Sequence, residues 1–224
     1  MSASPVSTRA DAFLHRLVGP APAEAGGVPI PWLLATILIA GPLYGALMGS
    51  YELVSAERLL MVLFAAVKMP LLILVTSALC LPGFFVLSTV LGLRDDFRRS
   101  IRAILSSQAA MAVVLAALGP VTRFVYSSGV SHANAILTNA AMFAVAAGAA
   151  QVVLWRLYRP LIARDRKHLA MLWAWLLLYA FVGMQMGWML RPFIGTPDIP
   201  VTFFREEPFS NAYVVIFDLI LGRR

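Results

Sequence analysis

The chain has 224 residues, of which 60% are hydrophobic and 13% are charged. Soluble domains carry roughly a quarter charged residues and about 45–50% apolar ones, so this composition excludes an ordinary soluble domain. The apolar residues form uninterrupted blocks longer than the about 20 residues that a bilayer-spanning helix needs. The formal net charge is +7. Because the chain has so few polar residues, we interpret this charge as orienting the spans relative to anionic lipid rather than as binding nucleic acid. The sequence therefore predicts an all-α polytopic membrane protein.

The first apolar block runs from about Val28 to Tyr51. The second, Leu59 to Leu93, would be about 52 Å long as one helix, well beyond a hydrocarbon core of about 30 Å. We expect a break at Lys68-Met69-Pro70, because Pro70 lacks a backbone donor and Lys68 favours the headgroup level. Leu59–Val67 would then be an interfacial segment or the start of a kinked span, and Met69–Leu93 would cross the membrane.

Three further blocks bring the predicted number of spans to five. They are Ala103–Tyr126, Ala133–Leu157 and Leu169–Leu190. With five crossings, the basic loops Arg94–Arg102 and Tyr158–His168 fall on the same side as the N-terminus, as the positive-inside rule requires. We therefore expect a bacterial inner-membrane protein with a cytoplasmic N-terminus and its C-terminus on the opposite side.

The chain ends predict two short interfacial helices. Residues 1–27 are expected to form a cytoplasmic tail with a short amphipathic helix, and residues 28–190 the five-helix domain. Residues 191–224 are expected to form an outer-face segment that closes with a C-terminal amphipathic helix. The proline-rich start of that segment predicts an extended chain rather than a sixth span.

Small residues at intervals of four predict close contacts between helices. The first span carries Gly41, Gly45 and Gly49, and the fifth carries Gly183 and Gly187. The fourth span carries a similar series, Ala140, Ala144 and Gly148. These faces pack the five helices against one another or bind another chain. The first-span ridge is the candidate for a contact between chains.

The sequence gives little support for chemistry. No Asp or Glu lies in the middle of a span, and Cys80 is the only cysteine. The three histidines lie in loops or at span boundaries, and sequence motifs of hydrolases and nucleotide-binding loops are missing. We therefore predict no catalytic residue, no metal site and no cofactor. The uncharged amides Gln108, Asn139, Gln151 and Gln185 could bond neighbouring helices or line a path for a small solute.

The segment after the fifth span is the most informative polar stretch. Trp188 is typical of a membrane interface, and Arg191 follows at the headgroup level. Phe193, Phe203 and Phe204 could enter the membrane or a partner protein. The segment is therefore either a lid on the bundle or a docking surface for another membrane subunit.

Two patches of sequence carry a resemblance to known proteins. The first is Lys68-Met69-Pro70, followed by Thr76, Leu81-Pro82 and Gly92, and the second is Trp188-x-x-Arg191-Pro192-Phe193-x-Gly195-x-Pro197. They resemble a group of bacterial multi-span proteins of unknown function whose layout is similar to that of Yip1-family proteins. The resemblance covers roughly residues 28–208. It implies five spans with a cytoplasmic N-terminus and no catalytic residue.

The sequence therefore favours a non-enzymatic accessory or scaffold subunit that stabilises a larger membrane protein complex. Its expected partners are the lipid bilayer and other integral membrane subunits, without nucleic acid. The alternative is a small transporter or channel for an uncharged or weakly polar solute, which would use the four amides.

Overall fold

The computed structural model describes residues 28–51, 56–195 and 200–204, with the backbone alone at residues 56 and 57. The predicted all-α fold is confirmed in these ranges, which contain no strand. Five helices are long and apolar enough to span a membrane. They are α1 (Ile30–Gly49), α2 (Ala56–Val90), α3 (Phe97–Ser127), α4 (His132–Arg164) and α5 (Lys167–Met189). Both predicted amphipathic end helices lie outside the described residues.

Of the two alternatives predicted for Leu59–Val67, the separate interfacial segment is wrong, and the start of one long span is what the structure has. One helix runs from Ala56 to Val90 through Pro70 and Pro82, so Leu59–Val67 belongs to α2. A proline removes one backbone hydrogen bond of a helix. Breaking the helix in apolar surroundings would leave several backbone groups without partners, which costs more. Prolines are accommodated inside three other helices in the same way, at Pro42, Pro120 and Pro160.

α1 is the central packing partner of the bundle. It contacts both α2 and α3 extensively, while α4 packs on α3 and α5 packs on α2. α4 and α5 make far fewer contacts with each other. In the most apolar stretches of α4 and α5, 17% of the residues are buried, against 33% to 44% in α1, α2 and α3. α4 and α5 therefore leave most of their surface outside the bundle.

The end of the bundle that holds residues 94–102 and 156–168 is called the basic end below. A short 3-10 turn, Arg94–Asp96, leads into α3 there. The Asp96 carboxylate accepts hydrogen bonds from Arg99 at 3.4 Å and Arg164 at 3.5 Å, and it lies 3.4 Å from His168 Nε2. One carboxylate thus connects the adjoining ends of α3, α4 and α5.

Both basic loops are shorter than the sequence predicts. α3 begins at Phe97 instead of Ala103, and α4 continues to Arg164 instead of Leu157. A change from apolar to basic residues marks where a span meets the headgroups, but arginine is a good helix former and does not end a helix. The helices therefore continue into the basic residues.

Candidate functional site

Lys68 is a charged side chain enclosed within the bundle. It is 0% exposed, and its ammonium donates a hydrogen bond to the Pro192 carbonyl oxygen at 2.7 Å. The same nitrogen lies 4.8 Å from the centre of the Phe203 ring and 6.0 Å from that of Phe193. A carbonyl oxygen and two aromatic faces take the place of water around the cation.

The two sequence patches that carry the resemblance meet at this site. Lys68 belongs to the first patch, and Pro192 and Phe193 belong to the second. A Cβ atom added to Gly195 would lie 2.9 Å from Arg58 Nη1 and 3.4 Å from Met61 Cγ, so this part of the chain lies directly on α2. Residues 191–195 and 200–204 are called the outer segment below.

The outer-segment residues with a predicted docking role have different surroundings. Phe193 and Phe203 face Lys68, and Phe203 also stacks edge-on against Phe64 of α2 at 5.1 Å. The Arg191 guanidinium carbon lies 3.2 Å from the centre of the Trp188 ring. Phe204 is 47% exposed. These contacts make the outer segment a cover on α2, with Phe204 facing outward.

Replacing Lys68 with methionine should loosen the outer segment. The ammonium bond to Pro192 is worth about 1.5–3 kcal/mol, so its loss should raise the open fraction of the segment at least about tenfold. The measurement is the maleimide labelling rate of an Ile194→Cys variant in a Cys80→Ala background, because Ile194 is buried at 9% exposure.

Lys167→Met is the matched control for this substitution. Lys167 also donates to a backbone carbonyl, that of Leu91 at 3.1 Å, but it is exposed on the basic end. Its replacement should leave the labelling rate at position 194 unchanged. Equal rates in the Lys68→Met variant and the parent would show that Lys68 does not hold the segment.

The four amides considered for a solute path have different surroundings. Gln108 of α3 accepts a hydrogen bond from the Tyr179 hydroxyl of α5 at 3.1 Å. Asn139 is buried between helices, Gln185 is half-buried on α5, and Gln151 is exposed on α4. Gln108 and Asn139 bond tyrosines of different helices, which favours helix packing over a shared path for these two amides.

Asn139 is the centre of a buried hydrogen-bond network that joins three helices. The Tyr44 hydroxyl of α1 donates to Asn139 Oδ1 at 2.8 Å. The Asn139 amide nitrogen donates to the Tyr126 hydroxyl of α3 at 2.5 Å and to the Ala135 carbonyl at 2.7 Å. Tyr126 in turn donates to the Met48 carbonyl at 3.3 Å. The network holds α4 against α1 and α3.

The first-span glycine ridge faces α2 of the same chain. A Cβ atom at Gly45 would collide with the Ala65 carbonyl oxygen, and one at Gly49 would lie 2.8 Å from the Met61 carbonyl oxygen. At Gly41 it would lie 3.4 Å from Pro70. The ridge is therefore occupied inside the bundle, which removes it as a surface for another chain.

Glycines on the outer helices are less crowded. A Cβ atom at Gly183 would lie 3.5 Å from the Thr76 methyl group of α2, which is ordinary contact. At Gly187 and Gly148, no described atom outside the glycine's own stretch of helix lies within 4 Å of that position. Gly183 therefore packs on α2, and Gly148 faces away from the bundle.

The outward face of α4 carries small and polar side chains at its centre. They are exposed and comprise Ala140, Ala144, Gly148 and Gln151, called the α4 stripe below. Large apolar side chains are also exposed on both outer helices: Leu137, Val145 and Val152 of α4 are 52% to 66% exposed, and Trp173, Leu177, Phe181 and Met184 of α5 are 48% to 70% exposed. Large apolar groups suit contact with lipid chains, whereas small residues allow another helix to approach closely.

Comparison with known proteins finds no matching family model, no matching curated protein and no matching solved structure. The resemblance to Yip1-like proteins therefore stays a prediction. Over the part of the chain that the structure describes, no group of three His, Cys, Asp or Glu side chains could hold a metal ion. The Lys68 site and the α4 stripe are the two candidates for a functional role.

Proposed function

We propose that this protein is a non-enzymatic accessory or scaffold subunit that docks on another integral membrane protein through the α4 stripe. The supporting observation is the exposure of Ala140, Ala144, Gly148 and Gln151 on one face of an apolar helix. Lipid gives a helix no hydrophobic drive to associate, so close backbone approach and interhelical hydrogen bonds must supply the affinity. The stripe offers both.

Inside the same molecule, a similar series of small residues already receives a helix. Gly45 and Gly49 of α1 accept the backbone of α2 at Ala65 and Met61. Ala144 and Gly148 have the same spacing of four residues, and they lie on the outward face of α4. This spacing on an outward face is best matched by a helix from another protein.

The scaffold role assigns the Lys68 site to structure rather than to chemistry. The ammonium holds the outer segment on α2 through Pro192, and the Asn139 network holds α4 on α1 and α3. Both sets of contacts fix the position of elements around the bundle. A rigid bundle presents the α4 stripe in one orientation, which lowers the entropic cost of docking.

The proposal includes the orientation predicted from the sequence. The basic end carries exposed cations on its helix ends and in the turn between α4 and α5, among them Arg98, Arg99, Arg164 and Arg166. Excess Lys and Arg close to span ends stay in the cytoplasm. We propose that the basic end lies on the cytoplasmic side of a bacterial inner membrane and that the outer segment lies on the opposite side.

Replacing Ala144 with leucine should abolish docking. The added side chain holds the partner helix away from α4, so most of the partner should be lost from the isolated complex. The measurement is the mass of the particle that a tagged chain forms after extraction in mild detergent, with identification of its components by mass spectrometry.

Ala180→Leu on α5 is the matched control, because Ala180 is also an exposed alanine inside a helix. It lies between large lipid-facing residues, so the same change should leave the complex intact. A complex that survives Ala144→Leu as well as Ala180→Leu would contradict the proposed function.

A further inference from the structure

We propose that residues 213–221 form a helix that docks on an exposed apolar face of α2, where α2 projects beyond the hydrocarbon core of the membrane. The face consists of Leu59, Leu60, Leu63 and Val67, which are 47% to 54% exposed, and it is called the α2 apolar face below. Residues 205–224 lie outside the described residues. The contact involves a different helix from the α4 stripe.

The α2 apolar face is one side of the helix. At about 100° per residue, its four residues lie within an arc of about 100°. On the opposite side of α2, Met61, Ala65 and Lys68 are buried. They lie against the end of α1 and against the outer segment. Within the described residues, this part of α2 is therefore covered on one side and exposed on the other.

The exposed apolar side chains of α2 extend over more than the thickness of a membrane. They run from Leu59, 53% exposed, to Val90, 76% exposed, which is about 47 Å along a helix at 1.5 Å per residue. The hydrocarbon core is about 30 Å thick. A helix tilted by about 40°, the upper end of the usual range, would still need about 36 Å. Exposed arginines from Arg94 onward mark the headgroups just beyond Val90, so the excess length lies at the Leu59 end.

The end of α5 indicates the same boundary. α5 ends at Met189, and Pro192, three residues later, accepts the hydrogen bond from Lys68. α2 extends from Lys68 back to Ala56, about 18 Å beyond this level. The α2 apolar face lies on that projecting part. Exposed leucines there meet headgroups and water instead of lipid chains, so contact with another apolar surface is favourable.

The described chain stops beside the α2 apolar face, at Phe204. Phe203 stacks on Phe64 of α2 at 5.1 Å, and Phe204 is 47% exposed. Residue 213 is nine residues beyond Phe204, which an extended chain covers in at most about 30 Å. Residues 213–221 as a helix and the α2 apolar face are both about 12 Å long. The segment can therefore reach the face, and it matches the face in length.

The other long stretch outside the described residues, 1–27, leaves the bundle elsewhere. Gly49, at the end of α1, lies beside Met61 of α2. Residues 1–27 lead into the opposite end of α1, about 30 Å away. The remaining stretches outside the described residues, 52–55 and 196–199, are too short for a helix of three turns.

The sequence of residues 213–221 suits a docked helix. Its apolar side repeats at i, i+3, i+4 and i+7, with Tyr213, Ile216, Phe217 and Ile220. A helix that lies alone on a membrane surface carries a strongly charged opposite face. Asp218 is the only charged residue in this stretch of sequence. A helix that is apolar on nearly every side is normally buried, and contact with α2 provides that burial.

Disulfide formation tests the contact. In a Cys80→Ala background, the pair Leu63→Cys and Ile220→Cys should form an intramolecular disulfide in most of the protein under mild oxidation in native membranes. Phe85→Cys with Ile220→Cys is the matched control, because Phe85 is 40% exposed on the same side of α2 but about 33 Å further along. The control pair should stay reduced. A Leu63→Cys pair that stays reduced, or that joins two copies of the chain, would overturn the proposal.

The labelling rate of Leu63→Cys alone distinguishes cover by this helix from cover by lipid. With a water-soluble maleimide, Phe217→Asp should raise the rate about tenfold, because a charged side chain opposes burial against α2. Asn211→Asp is the control: it adds the same charge ahead of the apolar stretch and should leave the rate unchanged. Equal rates with and without Phe217→Asp would overturn the proposal, since low rates mean that lipid covers Leu63 and high rates mean that nothing does.

Discussion

Replacing Gly45 with leucine is expected to prevent α1 from packing on α2. Any Cβ at this position collides with the Ala65 carbonyl oxygen and comes within 2.8 Å of Met69 Cγ. Overpacking by a few carbon atoms costs about 1–3 kcal/mol where side chains can adjust. Here the obstacle is backbone, so the free energy of unfolding should fall by about 3 kcal/mol or more.

Thermal unfolding in detergent, combined with size-exclusion chromatography, measures this effect. Gly187→Leu is the control, because no described atom outside its own stretch of helix lies within 4 Å of a Cβ there. The control should keep the parent's stability or slightly exceed it, since leucine is the better helix former. A Gly45→Leu protein as stable as the control would mean that α1 and α2 do not approach closely at this residue.

Replacing Asn139 with alanine is expected to have the second largest effect on stability. It removes the acceptor of the Tyr44 hydroxyl and the donor to the Tyr126 hydroxyl. Both hydroxyls then remain in apolar surroundings without that partner, and each such loss costs about 1–3 kcal/mol. Hydrogen bonds between membrane helices stabilise a protein less than this on average, so we expect the free energy of unfolding to fall by about 2 kcal/mol.

Asn134→Ala is the matched control for the network, since Asn134 is an exposed asparagine at the same end of α4. Its replacement should change the free energy of unfolding by less than about 0.5 kcal/mol. The measurement is an equilibrium unfolding titration in mixed micelles. Equal stabilities of the two variants would show that the Asn139 bonds do not hold α4 in place.

The number and type of the helices could be predicted from the sequence, because apolar blocks of spanning length have few alternatives. The continuation of α2 through Pro70 could not be predicted in this way. Proline is a strong signal for the end of a helix in water, where freed backbone groups bond to solvent. Within α2 no solvent competes, and the helix continues through both Pro70 and Pro82. Only the three-dimensional surroundings decide between these outcomes.

The sequence located the small-residue faces but could not tell which of them was occupied. Gly45 and Gly148 look alike in sequence, yet one contacts α2 and the other faces outward. A soluble helix would reveal its inner face by hydrophobicity, but in a membrane the interior and the lipid are both apolar. The orientation of each helix about its axis depends on its neighbours, which a single sequence does not specify.

The Lys68 site was missed for a related reason. A lysine beside a proline in a long apolar block is typical of an interface. The signal that could have indicated a buried site lies in the outer segment, where Pro192, Phe193 and Phe203 supply a carbonyl and two aromatic rings. Those groups lie more than 120 residues away in the chain, so their contact with Lys68 follows from the fold and not from local pattern.

The mass of the particle extracted from native membranes tests the central claim most directly. The parent and the Ala180→Leu variant should each form a particle that holds the 24.4 kDa chain together with a second integral membrane protein. The Ala144→Leu variant should be isolated as the 24.4 kDa chain without a second protein. A parent protein that emerges as a monodisperse monomer without a companion, identical to Ala144→Leu, would contradict the account.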